Sequence, residues 1–242
     1  MHVSHDFDIA SICAHPDDAE IVMGGTLAKE AVAGRRLALV DLTRGESGTR
    51  GTPETRREEA AAAARILGVA HRESLGLPDG RLVADPQTKD PVVQALRRLR
   101  PRVVLLQHWE QRHPDHAAAS RIVYDACFLA GLRNYRPDLG APFRPAKLCY
   151  AISTTEMMDT QPSFVVDVTQ TWATKLAAIR AFGSQFTPEP SDVPLPFEGW
   201  QRAVETTARR HGQRIGVEFG EAFVTREPMR VDDVAGLPVR SF

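Results

Sequence analysis

The 242-residue chain predicts an α/β fold: a single Rossmann-like domain with a mostly parallel sheet and helices on both faces. Three observations carry this. Apolar strand-like runs alternate with helix-like segments, the pattern of parallel strands joined by helical crossovers. The length suits one α/β domain with a full core. The pattern His-Pro-Asp-X occurs twice, as His15-Pro16-Asp17-Asp18 and His113-Pro114-Asp115-His116. Each copy follows a strand-like run and opens onto a helix-like one.

Residues 7–13 read as the first strand. A helix is expected over 26–33, with Leu27, Ala28, Ala31 and Val32 on its buried face and Gly34 as its stop. Residues 36–42 give the second strand. Thr52 reads as an N-cap before Pro53, opening an alanine-rich helix that runs to Leu67 and stops at Gly68. A third strand is expected at 73–77. Asp90-Pro91 repeats the cap-then-proline start, and Val92, Ala95, Leu96 and Leu99 form one apolar stripe. Pro101 ends that helix. Residues 103–106, four apolar positions in a row, are the fourth strand, and a helix over 114–129 follows, ending at Gly131.

The second half is less regular. Residues 135–147 are a Pro/Gly-rich loop, and 148–152 and 164–168 are two further strands. Trp172, Leu176 and Ile179 mark one helix. Trp200, Val204, Ala208 (or Thr207), His211 and Ile215 mark another. Residues 187–199 carry four prolines and are too long for a simple turn; they read as a surface excursion, a lid or a subunit contact. No second domain is indicated.

Lys and Arg number 30 against 31 Asp and Glu. Such balance argues against a nucleic-acid partner, which a basic face would announce. No uninterrupted apolar stretch suggests a membrane span, and the first residues lack a signal-peptide pattern. Cys13, Cys127 and Cys149 have no C-x-x-C spacing and read as reduced, buried thiols of a cytoplasmic protein.

In doubly wound sheets the first strand lies beside the fourth, and ligands bind outside their carboxyl ends. The two turns are therefore expected to face each other there. Residues three apart at a starting helix are neighbours, so His15 and Asp18 can grip one ion, with an imidazole from the second turn as third ligand. Spacing alone leaves His113 and His116 both open. Two nitrogens and one oxygen suit Zn²⁺, or another divalent cation, and leave a position for water. Asp17 is then spare to act as general base on that water. Asp115 is placed to orient His113 or a ligand imidazole. The bland reading of one such turn is a capped helix start, since Asp complements the helix dipole. Two of them, each at a strand end, favour a metal site.

Ala14-His15-Pro16-Asp17-Asp18-Ala19-Glu20, then Gly24-Gly25-Thr26-Leu27, together with the second turn, resembles the zinc-dependent N-deacetylases of the LmbE-like (PIG-L) family. The resemblance covers nearly the whole chain. Softer motifs resemble the branch that deacetylates N-acetylglucosaminyl-malate in bacillithiol biosynthesis. They are Asp41-Leu42-Thr43-Arg44-Gly45-Glu46, Gly48-Thr49-Arg50-Gly51-Thr52, Leu77-Pro78-Asp79-Gly80 and Gly216-Val217-Glu218-Phe219-Gly220-Glu221-Ala222-Phe223.

The resemblance implies one Zn²⁺ per chain on His15, Asp18 and His116, with Asp17 as base. It gives His113 a part in stabilising the oxyanion; in the mechanism expected from this, Asp115 holds that ring and favours its protonated form. It implies that Arg56 faces the substrate, an amino sugar, with Asp79 and more weakly Glu46 on sugar hydroxyls. It also implies a homo-oligomer, trimers or hexamers. Some relatives place a mobile tyrosine over the site from a late loop, where this chain offers Phe186, Phe197 and Trp200.

The same ligand set serves non-haem iron oxygenases, and a non-catalytic metal- or sugar-binding module would leave Asp17 idle. The missing G-x-G-x-x-G argues against a dinucleotide-binding domain.

Overall fold

In a computed structural model the described residues are 5–153, 160–186, 197–237 and 239. Their elements are β1 (Phe7–Cys13), α1 (Asp18–Val32), β2 (Leu37–Asp41), α2 (Pro53–Leu67), β3 (His71–Ser74), α3 (Pro86–Leu99), β4 (Pro101–Gln107) and α4 (Pro114–Ala130), then β5 (Lys147–Ala151), β6 (Phe164–Asp167), α5 (Trp172–Arg180), α6 (Gly183–Phe186), α7 (Phe197–Gln213) and β7 (Gly220–Val224). One sheet runs in the order β3-β2-β1-β4-β5-β7-β6. β1 to β5 are parallel, and β7 is antiparallel to both β5 and β6.

The central strands are buried on both faces, which is why they read as continuous apolar runs. Side chains alternate along β1. Ile9 and Cys13 join a core with α1, α2, α5, α6 and α7, while Ala10 and Ile12 join a second core with α3 and α4. Helices thus cover both faces. All three cysteines are buried and free. Among the described residues no helix is long and apolar enough to cross a membrane.

Several expectations shift. α1 begins at Asp18, eight residues before the expected start, and is kinked at Met23 (φ −143°); the Gly24-Gly25 pair hid its first turns. Val32, expected on the buried face, is exposed. β3 lies at 71–74, a half-buried edge strand without an apolar run. α3 starts at Pro86 behind Asp85, whose side chain shares a capping box with Thr88. That is the expected cap-then-proline signal, five residues earlier; Pro91 falls inside the helix. Pro101 is the first residue of β4, where a proline costs no ladder bond. β7 is an additional strand, and Ile215 lies beyond the end of α7. The expected excursion at 187–199 lies outside the described residues up to 196, and its last three positions belong to α7.

β1 lies between β2 and β4, so the winding reverses at the β1–β4 boundary as expected. There the Gln107 side chain, at the end of β4, accepts a hydrogen bond from Ala14 N at 3.0 Å. This bond ties the two strand ends together beneath the crevice.

Candidate active site

The two His-Pro-Asp turns meet across this crevice, but they are not copies of one conformation. In the second, His113 is the N-cap of α4 with ordinary extended geometry (φ −78°, ψ 125°), and Pro114 is the first helical residue. In the first, Asp17 is the residue before α1, at φ 110° and ψ −27°. That is a left-handed backbone on a non-glycine residue, which costs on the order of 1–3 kcal/mol and must be held by its surroundings.

Asp18 joins the two turns. Its Oδ2 accepts from His15 N at 2.8 Å and lies 3.3 Å from His15 Nδ1; its Oδ1 lies 3.1 Å from His116 Nε2. His15, Asp18 and His116 offer one donor atom each within 4.8 Å of one another. The other nitrogen of His15, Nε2, stands 3.0 Å from Asp79 Oδ1 and 3.4 Å from Asp115 Oδ2. His113 stacks on His116 with ring centres 4.6 Å apart and meets His15 edge-on at 4.9 Å. It is exposed at the mouth of the site.

The electrostatics follow from crowding carboxylates around one imidazole. Burial works to lower His15, but the Asp18 hydrogen bond and the charges of Asp18, Asp79 and Asp17 reverse this and push it up to about 9. Burial works to raise Asp18, yet the facing His116 and His15 hold it well below the usual carboxylate range. Three carboxylates, Asp18, Asp79 and Asp115, stand within 3.4 Å of His15, a surplus of negative charge that a divalent cation neutralises. Two imidazoles and a carboxylate suit such an ion, so the residues present fit a metal.

Asp17 behaves differently: burial pushes it up to about 7, against the pull of Arg56. His113 is lowered, first by burial and then by the charges of His116 and His15.

Four of the expected site residues have defined partners within the chain. Arg56 is buried, and its Nη2 donates to Asp17 Oδ2 at 3.0 Å and to the Pro16 carbonyl. It braces the spare aspartate and presents little of itself to solvent. Asp79 faces His15 with Oδ1 and accepts from Ser47 N with Oδ2 at 2.8 Å. Glu46 accepts from Asp79 N at 3.0 Å and from Arg44 N at 3.2 Å. Asp115 accepts from Gly80 N and Leu82 N and turns its carboxylate to His15. What reaches His113 is the backbone of Asp115, whose N–H donates to Nδ1 at 3.2 Å. The neutral ring therefore carries its proton on Nε2, where the sequence led us to expect a protonated ring steadied by the Asp115 carboxylate.

Comparison with known proteins places this arrangement. The PIG-L family model, described as GlcNAc-PI de-N-acetylase, matches residues 10–127, which include both turns. Diacetylchitobiose deacetylase of Thermococcus kodakarensis is 32% identical over 219 residues, 86% of this chain and 78% of that protein. The chain belongs to the PIG-L (LmbE-like) family. It is a metal-dependent deacetylase by that membership. A 1D-myo-inositol 2-acetamido-2-deoxy-alpha-D-glucopyranoside deacetylase of a Nocardioides species is 30% identical over 257 residues, covering 76% of this chain and 85% of that one. A solved conserved protein of Thermus thermophilus superposes with a TM-score of 0.83 at 40% identity, covering 93% of this chain and 97% of its own. A 4-oxalmesaconate hydratase of Pseudomonas putida also matches, at 28% identity over 72% of each chain.

In this PIG-L chain further buried groups support the site. Glu221, on β7, accepts from Gly25 N and Thr26 N at 2.9 and 2.7 Å, and Lys175 Nζ lies 2.6 Å from its Oε1. It caps the second half of α1 from another element, satisfying donors next to the Met23 kink. Arg72 reaches Asp41 with two hydrogen bonds and Glu20 with a third. Glu20 and Glu221 stand in the sequence motifs quoted above, but no local spacing pairs them with Arg72 and Lys175. A large groove, about 1110 Å³, opens instead beside 147–149 of β5 and is lined by no member of the metal cluster.

Proposed function

We propose that the chain hydrolyses the N-acetyl group of an N-acetylglucosamine conjugate at the crevice between β1 and β4. The observation that carries this is the position of Asp17. It adjoins the His15, Asp18 and His116 donor set, Arg56 holds its Oδ2, and Oδ1 is left for a proton. A divalent cation, zinc on this reading, would be held by His15, Asp18 and His116 and would supply an acidified water and a polarised carbonyl.

Asp17 takes the proton of the attacking water at Oδ1. His113, exposed at the mouth with its proton on Nε2, donates to the carbonyl oxygen as negative charge develops there. Asp17 then returns its proton to the departing amine. Arg56 keeps Asp17 aimed throughout, and Asp79 and Asp115 keep the His15 ring in place. The site is built around the acetamido group, and the sugar hydroxyls meet the rim formed by 44–51 and 79–82.

The chitobiose and inositol names of the two deacetylase relatives share an acetamido sugar and differ in what it is joined to. The sequence motifs favour malate as the aglycone, in bacillithiol biosynthesis; the inositol relative favours an inositol conjugate. A homo-oligomer is part of this reading, and light scattering tests it.

The deciding experiment incubates zinc-loaded protein with N-acetylglucosaminyl-malate, the inositol conjugate, diacetylchitobiose and free N-acetylglucosamine, and measures acetate. We expect acetate from at least one conjugate and less from the free sugar. No acetate from any of them, with turnover of 4-oxalmesaconate, would replace deacetylation by hydration.

A further inference from the structure

We propose that Asp79 is a positioning residue that fixes the ring of His15 for metal binding and couples that ring to the glycine-rich loop over the crevice. The proposal rests on the deacetylase reading only in taking a metal at His15, Asp18 and His116.

Two sides of His15 are committed in opposite directions. Nδ1 faces Asp18, the shared member of the metal cluster. Nε2 faces Asp79 Oδ1 at 3.0 Å and Asp115 Oδ2 at 3.4 Å. An imidazole that gives Nδ1 to a metal carries its proton on Nε2, and a carboxylate there fixes both tautomer and ring plane. Of the two carboxylates, Asp115 already accepts from Gly80 N and Leu82 N. Asp79 is the nearer, and its Oδ1 takes no backbone N–H among the described residues.

The other half of Asp79 belongs to the loop. Its Oδ2 accepts from Ser47 N at 2.8 Å, its carbonyl accepts from Ser47 Oγ at 2.9 Å, and its N–H donates to Glu46 Oε1 at 3.0 Å. Three bonds therefore join one residue to 46–47, in a segment that is otherwise glycine-rich and largely exposed. A residue that grips a ligand imidazole with one oxygen and a loop with the other transmits order between them. Metal binding orders the loop, and by reciprocity an ordered loop tightens the metal.

The test uses Zn²⁺ and the full chain, wild type and Asp79→Asn. Asparagine keeps the shape but offers one oxygen for two donors, so one of the two ties is lost. We expect Zn²⁺ to bind the variant about 10–100-fold more weakly. We expect the hydrogen-bonded Nε2–H resonance of His15, visible in zinc-loaded wild type, to move upfield or broaden away. We also expect zinc to slow tryptic cleavage after Arg44 in wild type and to lose that effect in the variant.

Equal zinc affinity and an unmoved His15 resonance would overturn the positioning role. Zinc protection of Arg44 that persists in the variant would overturn the coupling. If the variant does not fold, wild type decides alone: a His15 ring that binds zinc through Nε2, or a second zinc ion on His15, Asp79 and Asp115, overturns the proposal. Wild type that takes up no divalent cation overturns the site reading itself, a result distinct from all of these.

Discussion

Arg56 Nη2 lies 3.0 Å from Asp17 Oδ2, and the pair forms against the backbone of Gly45, where a Cβ atom would collide with the guanidinium. Gly45 sits at φ 68°, which glycine adopts at no steric cost. The glycine-rich loop thus closes over an arginine that braces the proposed base.

Removing that brace has a directional effect on pH dependence. Burial raises Asp17, to about 7, and Arg56 is the main influence pulling it down. In Arg56→Ala the carboxyl rises further, so a larger fraction is protonated and inactive at neutral pH. The acid limb of the kcat/KM profile should move to higher pH than in wild type, with each unit costing about tenfold in rate below it. The loss should shrink at alkaline pH. A pH–rate profile of the two proteins checks this; an unmoved acid limb would separate Arg56 from the base.

Substitutions within the first turn should separate chemistry from metal binding. Asp17→Asn suits the left-handed backbone, since asparagine tolerates positive φ. It should retain the metal and lose about 10²–10⁴-fold in kcat. His15→Ala should lose metal and activity together. Metal content by atomic absorption, beside acetate release, distinguishes the two; His15→Ala protein with full zinc would remove His15 from the ligand set.

Why some of this was readable in the chain and some was not follows from range. β1 and β4 announce themselves because strands buried on both faces must be apolar throughout. The doubly wound rule then brings the two His-Pro-Asp turns together, while the choice of His116 over His113 came from the family resemblance. β3 was expected two residues late, at 73–77, because an edge strand needs no apolar run to mark its start, and the α1 start was masked by Gly24-Gly25. Those glycines are tolerated in a helix because Glu221, 196 residues away from Gly25, supplies the missing acceptors. The bonds that Asp79 makes to Ser47 and His15, and Arg56 to Asp17, could not be read from the chain, because a sequence shows a polar residue near a site but not which way it faces. The difference between the two His-Pro-Asp turns lies in the φ of Asp17, which no spacing encodes.

The Glu221 cap should be expensive to disturb. Glu221 and Lys175 are both buried, and removing one member of a buried pair costs about 3–5 kcal/mol by leaving a charge without a partner. Glu221→Ala should lower stability by that order in urea unfolding. Glu221→Gln retains an acceptor for one N–H and should cost less. Gly25→Ala should also destabilise, by about 1–3 kcal/mol, because the added Cβ would stand 2.7 Å from Val168 Cβ. A Gly25→Ala protein as stable as wild type would show that this contact relaxes freely.

The Arg72 cluster gives a stability effect whose size depends on pH. Arg72 bonds Asp41 at 2.9 and 3.0 Å and also Glu20, and all three side chains are nearly inaccessible. Glu20 is raised above its ordinary value by burial, with Arg72 the main force lowering it. A carboxyl raised in the folded state makes the fold less stable as pH rises through its folded value, because the charged form must then be buried. Arg72→Ala removes the lowering influence and leaves two buried acids facing each other. Its deficit should be about 3–5 kcal/mol at alkaline pH and should shrink as pH falls and Glu20 protonates. Adding Glu20→Gln to Arg72→Ala should restore part of the stability at high pH and little at low pH. Urea unfolding of the single and double variants at both pH values measures this. A deficit independent of pH would mean that Arg72 acts through its packing against Phe182, over whose ring the guanidinium carbon lies at 5.7 Å.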